Sequence, residues 1–186
     1  MTTSPNPYAI DADTLSGMKP LRKVVYCLGS NLGDRLSTLQ GAVDAIRDTP
    51  DVIVVDVSSV YETTPVDSPD GSPDFLNLVV VAETTLEPRT LLERAQAVED
   101  AYGRERGERN APRTLDVDLI VVGDVEMDAD DLKLPHPRAH ERAFVLAPWA
   151  EVDPLGVIPG HGSVNDLLAE VGVAGLIRRN DLTIED

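Results

Sequence analysis

Asp116-Val-Asp118-Leu-Ile-Val-Val122 is an apolar strand with two carboxylates at its head, and the rest of the chain is read outward from it. Side chains two apart on a strand point to the same face, so Asp116 and Asp118 can share one cation while Leu115, Val117 and Leu119 point to the other. Ile120 and Val122 follow on the acidic face, so the strand enters a core that is apolar on both sides. Two carboxylates at the edge of such a core repel each other and lose hydration unless a cation lies between them. Mg²⁺ meets that need, because it takes one or two carboxylates and completes its shell with water and phosphate oxygens. Just upstream, Arg104-Glu-Arg-Gly-Glu-Arg-Asn-Ala-Pro-Arg113 supplies arginines that extend the reading to a Mg²⁺ and polyphosphate site. A solvated strand end salt-bridged to those arginines is the competing reading.

Around this strand the pattern alternates between strands and helices. Val24 to Leu28 reads as a short buried strand, and Gly29-Ser-Asn-Leu-Gly33 as a turn in which Asn31 or Asp34 caps the next helix. Leu36, Leu39, Val43 and Ile46 make one apolar helical stripe that stops near Thr49-Pro50. Val52 to Tyr61 reads as a single strand, Thr63 to Pro73 as a long loop rich in Pro and Gly, and Phe75 to Glu83 as the next strand. Pro88 suits the first turn of a second helix with Leu91, Ala95, Val98 and Tyr102 as its buried stripe, Gln96 and Glu99 on another face, and Gly103 at its end. The arginine segment cannot bury a face and is expected to be a mobile loop. Pro137 suits the first position of a further helix, and Ser163 to Val171 makes a last short one. The order strand, helix, strand, strand, helix, strand implies an α+β domain with the ferredoxin-like split β-α-β core: a mainly antiparallel sheet with helices packed on it.

Composition bounds the function. A chain of 186 residues suits one domain, expected over residues 21–180, with residues 1–20 a disordered tail and 181–186 an acidic tail. The lone Cys27 lies in an apolar run, which suits a buried thiol in a reducing, cytoplasmic setting. Residues 1–20 carry no apolar core of signal-peptide or membrane-span length. A formal charge of −17 repels a nucleic-acid backbone, so nucleic acid is not an expected partner; no membrane partner is expected either, and the chain is expected to be a monomer. None of the lysines, Lys19, Lys23 and Lys133, lies in a Walker A context, so phosphates must be held by arginine.

Two further constellations stay open on residues alone. His136 and His140 have metal-ligand spacing, but with Pro137 first in the helix His136 falls at the cap and the pair would not project together, so zinc is not expected. Arg138 and Arg142, four apart inside that helix, offer with His136 either donors for phosphate oxygens or an ordinary exposed face. Phe75 shares a strand face with Asn77, and with Phe144, the other phenylalanine of the chain, it supplies two rings and an amide able to grip a flat heterocycle. Core filling is the simpler use of both rings.

Five segments in order, Gly29-Ser-Asn-Leu-Gly-Asp34, Ser59-Val-Tyr-Glu-Thr-Thr-Pro65, Asp74-Phe-Leu-Asn77, Pro112-Arg-Thr-Leu-Asp-Val-Asp118 and Leu134-Pro-His-Pro-Arg-Ala-His-Glu-Arg-Ala-Phe144, resemble the 6-hydroxymethyl-7,8-dihydropterin pyrophosphokinases of folate biosynthesis. The likeness runs from about Val24 to Pro154. It implies transfer of pyrophosphate from ATP to the pterin hydroxymethyl group, giving AMP and the pterin diphosphate, with two Mg²⁺ ions. By position it implies that Asp116 and Asp118 bind both metals, and that Gln96, Glu99, His136 and Arg142 contact ATP. It also implies that Arg104, Arg106 and Arg113 contact its phosphates, with Arg104 and Arg113 acting in catalysis, and that Thr63, Thr64, Val66, Phe75, Asn77 and Phe144 line the pterin pocket. The chain departs from some relatives at Asn110, where they carry tryptophan, at Phe75, where others have tyrosine, and at Thr64, which replaces proline. A metal-dependent phosphohydrolase using the same carboxylates and a non-catalytic ligand-binding module are the rival functions.

Overall fold

The computed structural model describes residues 19–64, 74–103 and 115–186. Strand β1 (Arg22–Ser30) is buried on both faces from Val24 onward and lies inside the sheet, one strand from its edge. It pairs antiparallel with β4 (Phe75–Thr84) on one side and with β5 (Asp116–Val122) on the other. The far side of β4 is shared by β2 (Val52–Val57) and β3 (Tyr61–Thr63), and β3 carries the last strand, β10 (Leu176–Arg178). Helix α1 (Arg35–Arg47) connects β1 to β2 across β4, and helix α2 (Pro88–Gly103) connects β4 to β5 across β1. Those two crossovers make the split β-α-β core expected from the element order.

The two faces of the sheet bury separate cores. Val24, Tyr26, Leu28, Leu76, Leu78, Val80, Val117 and Leu119 pack with Leu39, Ala42, Val43 and Ile46 of α1 and Leu91, Ala95 and Val98 of α2. Val25, Cys27, Val79, Val81, Ile120 and Val121 pack on the opposite side with α3 (Ala143–Val152) and α4 (Val164–Val171), around a fully buried Trp149. Cys27 is a buried free thiol. Two small hairpins, β6 (Met127–Asp128) with β7 (Lys133–Leu134) and β8 (Val157–Ile158) with β9 (Gly162–Ser163), complete the described structure. Asp34 caps α1 by accepting from the Ser37 N–H, and Ser163 caps α4 by accepting from the Asp166 N–H. The final residues fold back: Leu182 and Ile184 pack on the first core, and Glu185 exchanges hydrogen bonds with Gln40.

Four local expectations change. The run from Val52 to Tyr61 is two strands, because Ser58 turns a side chain into the ladder: its Oγ accepts the Val79 N–H at 2.9 Å while its own N–H donates to Val79 O. Val122 lies on the helical side with Leu119, not on the acidic side, because Val25 pairs with Val121 and Tyr26 with Leu119, leaving Ile120 as a β-bulge that inverts the alternation. Tyr102 is 44% exposed and does not join the stripe of α2; its ring lies over Gly41, where a Cβ would collide with it. No helix begins at Pro137. Ala139–Glu141 form a single 3₁₀ turn and α3 starts at Ala143, with Arg142 extended between them, so Arg138 and Arg142 do not share a helix.

Trp149 joins α3 to the sheet and donates from its indole to Asp153, which also receives Lys23 from β1. Trp149→Ala is expected to destabilise the fold by about 3–5 kcal/mol through the cavity and the lost hydrogen bond. Urea unfolding followed by circular dichroism measures this, and a loss below about 1 kcal/mol would contradict the packing described.

Candidate functional site

The register of β4, β1 and β5 assembles the site. Asn77 is opposite Gly29 and Gly29 is opposite Asp116, so amide, glycine and carboxylate form one row, and the neighbouring row holds Val79, Cys27 and Asp118. Both rows lie on the face of the sheet against which α3 packs. Gly29 is required there: a Cβ at that position would lie 2.9 Å from Asn77 Oδ1 and 3.7 Å from the Phe75 ring. On the next strand Thr63 is opposite Phe75, and Asn77 donates from Nδ2 to Thr63 Oγ1 at 3.0 Å.

A cavity of about 560 Å³ opens over these rows, lined by Thr63, Thr64, Phe75, Asn77, Asp116, Asp118 and Phe144 among others. It therefore unites five of the six positions expected for the pterin with the carboxylate pair; the sixth, Val66, lies outside the described residues. Arg142 lines this same cavity, with its guanidinium 5.4 Å from the centroid of the Phe144 ring, and Arg138 does so too, although no helix aligns them. Glu141 and the segment from Val171 to Leu176 form a wall that sequence reasoning did not single out. Its only signal was the spacing of small residues in Gly172-Val-Ala-Gly175.

Electrostatics at the floor of the cavity records how closely the charged groups converge. Burial pushes the Cys27 thiol far above its ordinary range; Asp118 adds to the shift, Arg142 opposes it and Asp116 adds again. Three charged side chains thus act on one atom beneath the site. Both aspartates are half-buried and offer hard oxygen ligands. Among the described residues no group of three or more His, Cys, Asp or Glu side chains is placed to hold a metal. A carboxylate pair beside a cavity is the donor set that Mg²⁺ accepts, with water and phosphate oxygens filling the remaining positions.

A second cavity of about 300 Å³ lies beyond the outer edge of β5 and is lined by Gln96, Glu99, His136 and, again, Asp118. Glu99 Oε1 accepts the Val117 N–H at 2.9 Å, so α2 grips the edge strand between the two aspartates. His136 donates its N–H to the carbonyl of the bulged Ile120 at 2.8 Å, and its Nδ1 accepts the Arg138 N–H at 3.2 Å. Burial, reinforced by Arg142 and Arg138, lowers its pKa below the ordinary histidine value. A neutral ring whose Nδ1 accepts carries its hydrogen on Nε2, which makes it a donor. His140, the other member of the suspected pair, turns away and stacks on His161 with ring centroids 3.8 Å apart. Arg104, Arg106 and Arg113 lie outside the described residues. Of the positions expected to contact nucleotide, the structure thus brings Gln96, Glu99 and His136 together and sets Arg142 in the neighbouring cavity.

Residues 25–154 match the family model for 7,8-dihydro-6-hydroxymethylpterin-pyrophosphokinase (HPPK). The 2-amino-4-hydroxy-6-hydroxymethyldihydropteridine pyrophosphokinase of Mycobacterium tuberculosis is 42% identical over 164 residues, covering 81% of this chain and 85% of that protein. The enzyme of the same name from Bacillus subtilis is 45% identical, covering 71% and 79%, and that from Pseudomonas aeruginosa is 37% identical, covering 85% and 97%. Among solved structures, wild-type HPPK-DHPS from Plasmodium falciparum with pterin and p-hydroxybenzoate shares the fold at a TM-score of 0.63 and 15% identity over 84% of this chain, which spans 44% of that longer one. On this family match and these identities over most of its length, the chain belongs to the HPPK family, the pyrophosphokinases of folate biosynthesis.

Proposed function

We propose that this chain transfers the β,γ-pyrophosphoryl group of ATP to the hydroxymethyl oxygen of 6-hydroxymethyl-7,8-dihydropterin, releasing AMP, with two Mg²⁺ ions held by Asp116 and Asp118. The observation that carries the reading is that Asp118 lines both cavities, one walled by two aromatic rings and an amide and the other by polar groups at the edge of β5. A transfer between two substrates needs such a shared point, because catalysis of this kind depends on alignment and charge neutralisation more than on a protein nucleophile. The heterocycle would lie between Phe75 and Phe144, with the buried Asn77 amide reading its hydrogen-bonding edge and the Thr63 hydroxyl fixing that amide. Gln96, Glu99 and the Nε2–H of His136 would take the nucleotide, while Arg104, Arg106, Arg113 and Arg142 would balance phosphate charge, Arg104 and Arg113 most directly at the transfer. Bound Mg²⁺ would supply charge neutralisation of the triphosphate and a lowered pKa for a coordinated oxygen. The buried thiol of Cys27 supports a reducing, cytoplasmic setting.

Mass spectrometry of an incubation with MgATP and the hydroxymethyl pterin tests the reaction itself: AMP and pterin diphosphate are expected together, and AMP formed equally well without pterin would indicate hydrolysis instead. Asp116→Ala and Asp118→Ala are each expected to lower turnover by about a thousandfold or more, on the order of 4 kcal/mol, with the fold retained. Near-normal Mg²⁺-dependent turnover in either folded variant would remove the metal assignment.

Binding should divide between the cavities. Asn77→Ala is expected to weaken pterin binding by roughly 1–3 kcal/mol and loss of either ring by about 0.5–1.5 kcal/mol plus the buried area, with nucleotide affinity nearly unchanged. Calorimetry with MgATP alone, and with pterin beside a non-hydrolysable ATP analogue, separates the two; equal losses for both ligands would contradict the division.

The depressed pKa of His136 has a definite sign. Its folded midpoint lies below 6.5, so the stability linked to the neutral ring is complete above pH 6.5 and is lost as the pH falls through that lower midpoint. NMR titration of the imidazole should therefore give a midpoint below 6.5 in the free protein, and a higher value would rule out a neutral donor.

A further inference from the structure

We infer that Arg35, which touches neither cavity, is a positioning residue for the pterin side of the site; the inference rests on the pterin reading above. The Nη1 atom of Arg35, on the first turn of α1, donates to Glu62 Oε2 at 3.1 Å and to the backbone carbonyl of Asp74 at 2.8 Å. Glu62 immediately precedes Thr63, and Asp74 immediately precedes Phe75. Thr63 and Phe75 are the Cα partners that close the β3–β4 ladder, and both line the larger cavity. One guanidinium nitrogen therefore fixes the spacing of two chain segments whose next residues face the ligand.

Alternation along β3 explains why this clamp acts from behind. Tyr61 and Thr63 face the α3 side, where the Tyr61 hydroxyl donates to Glu151, whereas Glu62 is opposite Leu76 and points to the α1 side. The same Glu62 oxygen accepts a second guanidinium, Arg179 Nη1 at 2.8 Å, from the segment following β10. Arg179 is itself paired with Asp181. Loss of Arg35 would thus leave Glu62 still paired with Arg179 among the described residues, so the fold should persist while the Asp74 carbonyl loses the Arg35 donor and the Thr63–Phe75 spacing relaxes. The Asn77 amide, held by the Thr63 hydroxyl, would follow. The nucleotide cavity is at the opposite edge of the sheet, across β4, β1 and β5, and has no share in the clamp.

The test compares Arg35→Leu, which keeps the aliphatic stem, Arg35→Lys and Asn77→Ala by steady-state kinetics, varying pterin and MgATP separately, with thermal unfolding to establish the working temperature. Arg35→Leu is expected to raise the pterin KM by roughly fivefold to tenfold, the loss of charge-assisted hydrogen bonds at a partly shielded site, with the MgATP KM unchanged within about twofold. Because both bonds leave one nitrogen, a single ammonium can replace them, and Arg35→Lys should recover most of the pterin KM. An unchanged pterin KM in folded Arg35→Leu, beside a raised one in Asn77→Ala, would overturn the positioning role and leave the pterin site standing. No effect of Asn77→Ala would overturn the pterin reading itself. A parallel rise of both KM values in Arg35→Leu, not recovered by lysine, would reduce Arg35 to a structural role.

Discussion

The antiparallel register of β1 between β4 and β5 is the constraint on which the molecule depends. Backbone pairing sets Asn77, Gly29 and Asp116 side by side, and a slip of one residue in either ladder would turn the amide or the carboxylates into the opposite core. Register of this kind is strongly specified because both faces of the sheet are buried, each by its own pair of helices. Packing energy that has nothing to do with ligand thus fixes the geometry of the site. The one concession that packing makes is Gly29, whose missing side chain leaves room for Asn77 beneath the cavity.

Much of this was legible in the chain. The same-face argument for Asp116 and Asp118 needed only strand periodicity, and the stripe of α1 and that of α2 as far as Val98 needed only spacing, since those elements obey local rules. The failures occur where tertiary contacts override them. Ser58 interrupts a strand because its hydroxyl finds a ladder donor on β4, a partner about twenty residues distant that no local pattern reveals. The helix expected at Pro137 does not form there. His136 is instead tied to β5 by its N–H to Ile120 O, the residues after it close on one another as a 3₁₀ turn, and the helix begins only at Ala143. Arg138 and Arg142 still converge, but through an extended link and not a helix face.

The wall from Val171 to Leu176 was illegible for another reason. It contributes mostly small and apolar side chains, which carry no chemical signature until the topology brings β10 beside β3. Phe75, Asn77 and Phe144 had the opposite character: two rings and an amide are a recognisable set, yet residues alone could not decide between ligand and core. All three line the larger cavity together with the carboxylates, which supports the ligand reading.

The bulge at Ile120 joins the two halves of the site. By inserting one residue directly after the Asp118-Leu119 pair, it releases the Ile120 carbonyl from the ladder with β1, and the His136 N–H takes that carbonyl. On that same outer edge, opposite β1, Glu99 accepts the Val117 N–H between the aspartates. The short segment from Val117 to Ile120 is therefore held by α2 through a carboxylate and by the His136 turn through a backbone bond, and both holders line the smaller cavity. The larger cavity meets the same Asp118 carboxylate from the face of the sheet. Both cavities thus meet at Asp118, on a strand held by β1 along one edge and by Glu99 and His136 along the other.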